Sequence, residues 1–145
     1  MSPDISRTTM SRTVIIDSRS RTSGASASNF VLNMVPAIPN VGRVKLSFAS
    51  LPVSVGSDQL YWCCTIPELG IAARGVNAGA TSCTFAIPVL SGGGYRTLFN
   101  SMTSYEPIAN GGGTTLTQLS VRLHYPDGTA VNTDGEEILM ILSME

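Results

Sequence analysis

The strongest constraint on the fold comes from the C-terminal part of the chain, where two different hydrophobic patterns follow one another. From Leu119 to Tyr125, apolar residues occupy the odd positions and polar residues the even ones. Because successive side chains of a strand point to opposite faces, this alternation predicts a strand with one buried and one solvated face. Pro126–Thr129 has the composition of a turn. Ile138–Leu142 is then apolar without a break, which favours a strand covered on both faces, deep in a sheet or at an interface.

These two segments predict an antiparallel pair of strands, which is too small to be stable alone, so the rest of the chain must supply a second layer. Five earlier segments also have strand composition: Thr13–Asp17, Asn29–Met34, Val41–Ser50, Leu60–Ile66 and Ser82–Val89. Val35–Asn40 contains two prolines, and we expect it to cross the end of the fold rather than lie inside a sheet. About eight short strands separated by Pro and Gly turns indicate an all-β protein, an antiparallel β-sandwich or barrel.

One segment has a different period. Within Tyr95–Tyr105, the apolar residues Leu98, Phe99 and Met102 recur at helical spacing. This pattern predicts one short helix of about two to three turns.

Composition suggests a protein whose surface is partly covered. At 145 residues, a single domain is expected. Hydrophobic residues make up 43% of the chain but charged residues only 13%, about half the usual share of ~25%. The low charge favours a surface covered by partners, and the alternative is an outer surface rich in Ser, Thr and Gly that is polar without charge.

Charge is unevenly distributed along the chain. Residues 1–50 contain six Lys or Arg and two Asp, whereas residues 101–145 contain one Arg and six Asp or Glu. The two ends could attract each other between neighbouring copies or pair within one fold. The net charge of -1 provides no broad basic face, so nucleic-acid binding is not predicted.

The ends of the chain and its cysteines suggest synthesis and assembly inside a cell. The first residues lack the apolar core of a secretory signal, and no apolar run reaches the ~20 residues of a membrane span. The chain has three cysteines, Cys63, Cys64 and Cys83. Because this number is odd, they are not expected to form a disulfide framework, and we predict reduced, buried thiols. Residues 1–12 are rich in Ser, Thr and Arg and are predicted to form an extended arm, with the domain spanning 13–145.

No constellation of catalytic residues is found in the sequence. His124 lies on the polar face of a predicted strand, where a solvent-facing or hydrogen-bonded histidine is expected rather than a base. Cys63 and Cys64 are adjacent, so in a strand they point to opposite faces and do not converge on a metal. Glu136-Glu137 precedes a strand, and we interpret these two charges as preventing the edge of that strand from pairing with another chain. We therefore predict no catalytic site, no metal and no cofactor.

A carbohydrate-binding module is the main alternative among binding functions. Tyr61, Trp62 and Tyr95 could stack on a sugar ring. A single tryptophan in a strand is also typical of a core or subunit interface.

Several short motifs follow one another in a recognisable order along the chain. Val14–Phe30 contains a strand, a Ser-Arg-Ser-Arg turn, a Ser/Gly loop and an Asn-Phe strand. Val41–Pro52 ends in Ala49-Ser50-Leu51-Pro52, and Ile87-Pro88 is followed by Gly94-Tyr95. This order resembles the small jelly-roll structural proteins of icosahedral DNA viruses, in which the strand after the Asn-Phe strand usually ends in Ala-x-(Ile/Leu)-Pro and an Ile-Pro-x-Gly-x-Tyr element follows. The closing strands fit as well, so the resemblance covers residues 13 to 144.

The resemblance implies a single jelly roll that serves as a virion protein assembled inside the host cell. It implies a penton at the five-fold vertices, a homo-oligomer of five copies in contact with the major capsid protein, or else a minor capsid or cement protein between major capsid subunits. Candidate subunit-interface residues are Arg7, Arg12, Arg19, Arg21, Tyr61, Trp62 and Tyr95. The arginines are expected to form ion pairs across subunits, because the guanidinium group binds carboxylates through two hydrogen bonds.

Overall fold

A computed structural model describes residues 12–52, 61–70, 73–74, 82–88, 96–100, 106–107, 114–133 and 135–145. The strands are β1 (Arg12–Asp17), β2 (Ser23–Ser26), β3 (Asn29–Val41), β4 (Arg43–Pro52), β5 (Tyr61–Thr65), β6 (Ala73–Arg74), β7 (Ser82–Cys83), β8 (Phe85–Pro88), β9 (Arg96–Asn100), β10 (Glu106–Pro107), β11 (Thr114–His124) and β12 (Leu139–Met144). Single turns of 3-10 helix lie at Ser18–Ser20 and Pro67–Leu69. Arg7 and Tyr95 lie outside the described residues, as does most of the predicted arm.

Two antiparallel sheets form a sandwich. Sheet A has the order β1-β12-β4-β10, with β9 also pairing with β4, and sheet B has the order β2-β3-β11-β5-β8. The pairings are nested along the chain: β1 with β12, β3 with β11, β4 with β9, and β5 with β8. This nesting is the connectivity of a jelly roll, in which a long hairpin is rolled so that its strands alternate between two sheets. The predicted all-β sandwich is confirmed.

The expected pairing of the last two strands is wrong. β11 pairs with β3 and β5 in sheet B, whereas β12 pairs with β1 and β4 in sheet A. The segment between them contains the predicted turn, in which Gly128 donates its backbone N–H to Tyr125 at 2.9 Å. It then crosses to the other sheet, where the backbone N–H of Ser18 donates to the carbonyl of Ile138 at 3.1 Å. Both strands still send apolar side chains into one core, but from opposite layers.

The predicted short helix is also wrong over its described part. Arg96–Asn100 is strand β9, paired with β4 from Pro52↔Arg96 to Phe48↔Asn100. A helix of two or three turns is marginal alone. The free edge of β4 instead provides hydrogen-bond partners along the whole segment.

β3 continues further than the sequence predicts, through both prolines to Val41. Its pairing with β11 shifts register between Gln118↔Asn33 and Leu116↔Ile38, so extra residues of β3 bulge out of the ladder. β2 pairs with β3 only as far as Val31. Pro36 and Pro39 are therefore on an irregular outer edge, where a missing N–H is tolerated.

The core lies between the two sheets. Its largest fully buried side chains are Trp62, Phe30, Phe85, Ile16, Leu46, Leu51, Ile66, Ile87, Leu119, Leu123, Ile138 and Met140. The buried positions Leu119, Val121 and Leu123 are the alternate residues that the sequence pattern predicts to face inward. Cys64 belongs to the core, whereas Cys63 and Cys83 are buried elsewhere.

Candidate interaction surface

The outer face of sheet A carries a row of apolar side chains. Ile15 on β1 lies opposite Ile141 on β12, and Ile141 lies opposite Phe48 on β4. Leu139 is two residues from Ile141 on the same strand and the same face. Ile15 is 63% exposed, and the other three are half-buried. None of the four belongs to the core cluster or packs against it. We call Ile15, Phe48, Leu139 and Ile141 the apolar row.

The apolar row follows from the unbroken hydrophobic run of β12. Met140 and Leu142 point into the core and are fully buried, so Leu139 and Ile141 must point outward. The same alternation places Ile16 in the core and Ile15 outside. The sequence predicts a strand covered on both faces, and the described residues cover only its inner face completely.

A depression of about 410 Å³ borders one side of the apolar row. Its lining residues are Asp17, Arg19, Ser50, Gly135, Glu136, Glu137, Ile138 and Leu139. Arg19 forms an ion pair with Asp17 at 3.1 Å, and its hydrogen bond holds the pKa of that carboxyl below its ordinary value. Glu136 is exposed. This border is therefore polar, accessible and rich in carboxylates.

Ser18 connects this border to the sheet. The Ser18 hydroxyl accepts a hydrogen bond from the backbone N–H of Ile138 at 2.8 Å and donates one to Glu137. Arg21 donates to Glu137 at 3.0 Å and to the carbonyl of Ser18 at 2.7 Å. Ser18 first, and then Arg21, lower the pKa of the Glu137 carboxyl. These bonds hold the beginning of β12 against the end of β1.

The opposite side of the apolar row is polar as well. The Ser47 and Ser143 hydroxyls are 2.6 Å apart and hydrogen-bonded. Arg43 and Glu145 form an ion pair and also exchange backbone hydrogen bonds at 2.8 and 3.0 Å. An apolar centre with a polar border is the arrangement found in protein–protein interfaces. The chemistry of this surface therefore suits binding to another surface by burial.

Of the predicted interface arginines, the three that the structure describes are bonded within the chain. Arg12 donates to the carbonyls of Pro39 and Asn40 at 2.6 and 3.4 Å. Arg19 pairs with Asp17 and Arg21 with Glu137. The Arg19 side chain is largely exposed, at 74%. Ion pairs between subunits therefore remain a prediction, and they would have to share guanidinium groups that already have partners.

The aromatic candidates are separated. Trp62 is 1% exposed and lies in the core, so its ring is not presented at the protein surface. Tyr61, its neighbour on β5, is half-buried and points to the other face. The two rings therefore do not form a shared platform for a sugar.

His124 and the three cysteines are all buried. His124 is 4% exposed; its Nδ1 donates to the carbonyl of Tyr125 at 3.1 Å, and its Nε2 accepts from the Thr65 hydroxyl at 2.8 Å. The predicted hydrogen-bonded histidine is thus observed, although buried. All three cysteines are free and buried, as predicted. Within the described ranges, no three His, Cys, Asp or Glu side chains are grouped to hold a metal.

Sequence reasoning missed two features of this surface. The outward position of Phe48 depends on a register shift in β4, where Leu142 lies opposite Leu46 but the adjacent residue, Ile141, lies opposite Phe48. The link from Ser18 to Glu137 spans 119 positions. The sequence signal that could have revealed the exposed Ile15 is the β-branched run Val14-Ile15-Ile16. If the two outer residues of this run point into the core, the middle residue must point away from it.

Among the described residues, no helix is long and apolar enough to span a membrane. The chain matches no known family in a comparison with family models. A comparison with curated protein sequences finds no significant match either. The fold and the apolar row are therefore the basis on which a function is inferred.

Proposed function

We propose that this protein is a structural virion protein, a jelly-roll capsid penton that assembles by contact with the major capsid protein and with copies of itself. The observation that carries the proposal is the apolar row on the outer face of sheet A. The jelly-roll connectivity supports it, because viral capsid domains are among the proteins that use this fold. The same fold also serves unrelated functions, so the proposal depends on the surface.

The apolar row is suited to burial against another protein. Fully burying an exposed aliphatic or aromatic side chain is worth about 1.5–3 kcal/mol. Ile15 offers most of its surface, and Phe48, Leu139 and Ile141 offer part of theirs. The polar borders at Glu136 and at Arg43 and Glu145 supply the rim that sets orientation and excludes other partners.

The location of the protein in particles tests the proposal. Particles assembled with the major capsid protein of the same virus are imaged, and the density of this subunit is located. Five copies around each five-fold vertex support the penton. Copies between major capsid subunits indicate a cement protein, and particles that exclude the protein contradict a capsid function.

Replacing one residue of the apolar row tests whether that row makes the contact. Ile141→Thr keeps the β-branched shape but replaces the ethyl branch with a hydroxyl, and we expect at least a ~5-fold loss of incorporation into particles, equivalent to about 1 kcal/mol. Ser143→Thr is the matched control, because it lies on the same strand and face and retains the hydroxyl bonded to Ser47. Incorporation is measured by quantitative mass spectrometry of purified particles. Equal incorporation of both variants would exclude the apolar row as the contact.

A further inference from the structure

In the part of the chain that the structure describes, β1 is an edge strand without the usual protection. Among the described residues, β12 is the only strand that pairs with it. Its central residues Thr13–Ile16 are all β-branched, and Ile15 is 63% exposed. Natural edge strands are normally protected by a central lysine, a proline, a bulge or a covering segment. β1 carries charge only at its two ends, Arg12 and Asp17.

A groove runs beside this edge, where the two sheets separate. It has a volume of about 190 Å³, and its apolar lining consists of Val14, Ile15, Leu32, Met34 and Leu119. Leu32 and Met34 lie on the part of β3 beyond its pairing with β2. The edge of β1 therefore combines a strand's backbone hydrogen-bonding groups with apolar side chains on both of its faces.

We propose that β1 pairs antiparallel with β1 of a second copy of this chain, across a two-fold axis at Ile15. The composition of the strand favours this occupant. β1 carries no charge between Arg12 and Asp17, so two copies can pair antiparallel about Ile15 without placing like charges opposite each other. A two-fold contact also uses the same surface of both copies, so one unprotected edge covers the other.

The faces of the strand determine the register. In an antiparallel pair, two residues that lie directly opposite each other point to the same face of the sheet. The two-fold axis also keeps each residue on the same face in both copies. The two residues that meet at the axis must therefore be the same residue of the two chains. With the axis at Ile15, Ile15 faces the same residue of the second copy, and Thr13 faces Asp17 of the second copy. With the axis at Val14, Ile15 would face a threonine instead. The first register joins the apolar rows of both copies into one continuous row, and it brings the two grooves together.

This contact is independent of the proposed capsid function. It predicts a pair of copies in the purified protein, whereas the penton proposal concerns incorporation into particles. A protein that pairs but does not enter particles would contradict only the capsid function. A monomer that enters particles would contradict only the pairing.

Disulfide trapping tests the pairing and its register in the full-length chain. Opposite Cβ atoms are about 4.5–5.5 Å apart, close to the distance that a disulfide spans. With diamide as the thiol oxidant, two Ile15→Cys thiols lose two protons and two electrons to form one S–S bond, and diamide is reduced to the hydrazine. We expect Ile15→Cys to give a covalent dimer at least ~10-fold faster than Thr13→Cys, since Thr13 does not face itself. Equal rates, or no dimer, would overturn the proposal; the native cysteines are buried and serve as the background in wild type.

Sedimentation equilibrium provides a second test without cross-linking. We expect the wild-type chain to dimerise reversibly, and Ile15→Asp to weaken dimerisation at least ~10-fold because it places two like charges face to face. Thr13→Asp should weaken it too by facing Asp17 of the second copy, while Thr13→Lys should strengthen it. Both positions are exposed, and circular dichroism checks that each variant is folded. A monomeric wild type, or identical dissociation constants for Thr13→Asp and Thr13→Lys, would contradict the pairing.

Discussion

Ser18 is completely buried and joins residues that are far apart in the chain. Its hydroxyl accepts a hydrogen bond from the N–H of Ile138 and at the same time donates one to the carboxylate of Glu137. Its carbonyl accepts from Arg21. One small polar side chain therefore holds the beginning of the last strand at the end of the first.

Removing this hydroxyl should destabilise the fold. Ser18→Ala leaves the buried N–H of Ile138 without its partner, which is expected to cost about 1–3 kcal/mol. Ser20→Ala is the control, because Ser20 is exposed on the same turn and its change should stay within about 0.5 kcal/mol. Urea unfolding monitored by Trp62 fluorescence measures both. Equal stability of the two variants would show that the Ser18 network contributes little.

The cysteines should resist thiol reagents as long as the protein is folded. Burial, followed by the neighbouring Cys63, raises the pKa of Cys83 to about 12, and burial also raises the pKa of Cys63 and Cys64. Thiolates react and thiols do not, so we expect negligible labelling by an aromatic disulfide reagent at about pH 8 and labelling of all three cysteines in guanidinium. Rapid labelling of the native protein would contradict this burial.

The same raised pKa values make the stability of the fold depend on pH. The native state keeps its thiol protons at a pH where the unfolded state loses them, so the free energy of unfolding should fall as the pH rises above the ordinary thiol value of 9.0.

In the hairpin of β2 and β3, the backbone at Gly24 lies very close to the backbone of Asn29 and Phe30. Gly24 has a φ of +108°, and a Cβ atom there would lie 2.5 Å from the carbonyl oxygen of Asn29 and from the Cα of Phe30. Both obstacles are backbone atoms, so neither can move aside as a flexible side chain would. The adjacent strand β3 carries Phe30 into the core, which connects this hairpin to the packing of the sandwich.

Gly24→Ala should therefore be more costly than an alanine at another glycine with positive φ. Gly128 is the matched control, because its φ is +90° but no atom lies within 4 Å of the position that an added methyl group would take. Both variants carry the backbone strain of about 1–2 kcal/mol, and only Gly24→Ala adds a steric clash. We expect Gly24→Ala to lower the free energy of unfolding by at least ~1 kcal/mol more than Gly128→Ala. Chemical denaturation measures the difference, and similar losses would argue against the close approach.

Across the complete sandwich, the jelly roll places the N-terminal strand at an edge of sheet A, next to the C-terminal strand. The sequence predicts an arm of residues 1–12, and β1 begins at Arg12. A deletion that tests the arm therefore ends at Ser11.

Deleting residues 1–11 is expected to leave the domain folded but to abolish incorporation into particles. The residues of the core cluster all lie within the part of the chain that is retained, so the thermal transition should persist. Thermal denaturation followed by circular dichroism checks folding, and particle composition checks incorporation. Normal incorporation of the shortened chain would exclude a role of the arm in assembly, and loss of the transition would show that the arm belongs to the fold.

Local pattern was sufficient to assign which residues share a face in regular strands, but not in β4, where a register shift turns Phe48 away from the face of Val44 and Leu46. The alternation at Leu119–Leu123, the buried thiols and the turn after Tyr125 were all predicted, because each depends on periodicity or composition within a short segment. Which strand lies beside which became known only from the folded arrangement. That arrangement separates β11 and β12 into different sheets, makes Arg96–Asn100 a strand, buries Trp62 and leaves Ile15 exposed. Periodicity specifies the orientation of a side chain relative to its own strand, whereas pairing depends on contacts between residues distant in the chain, such as Ser18 and Ile138.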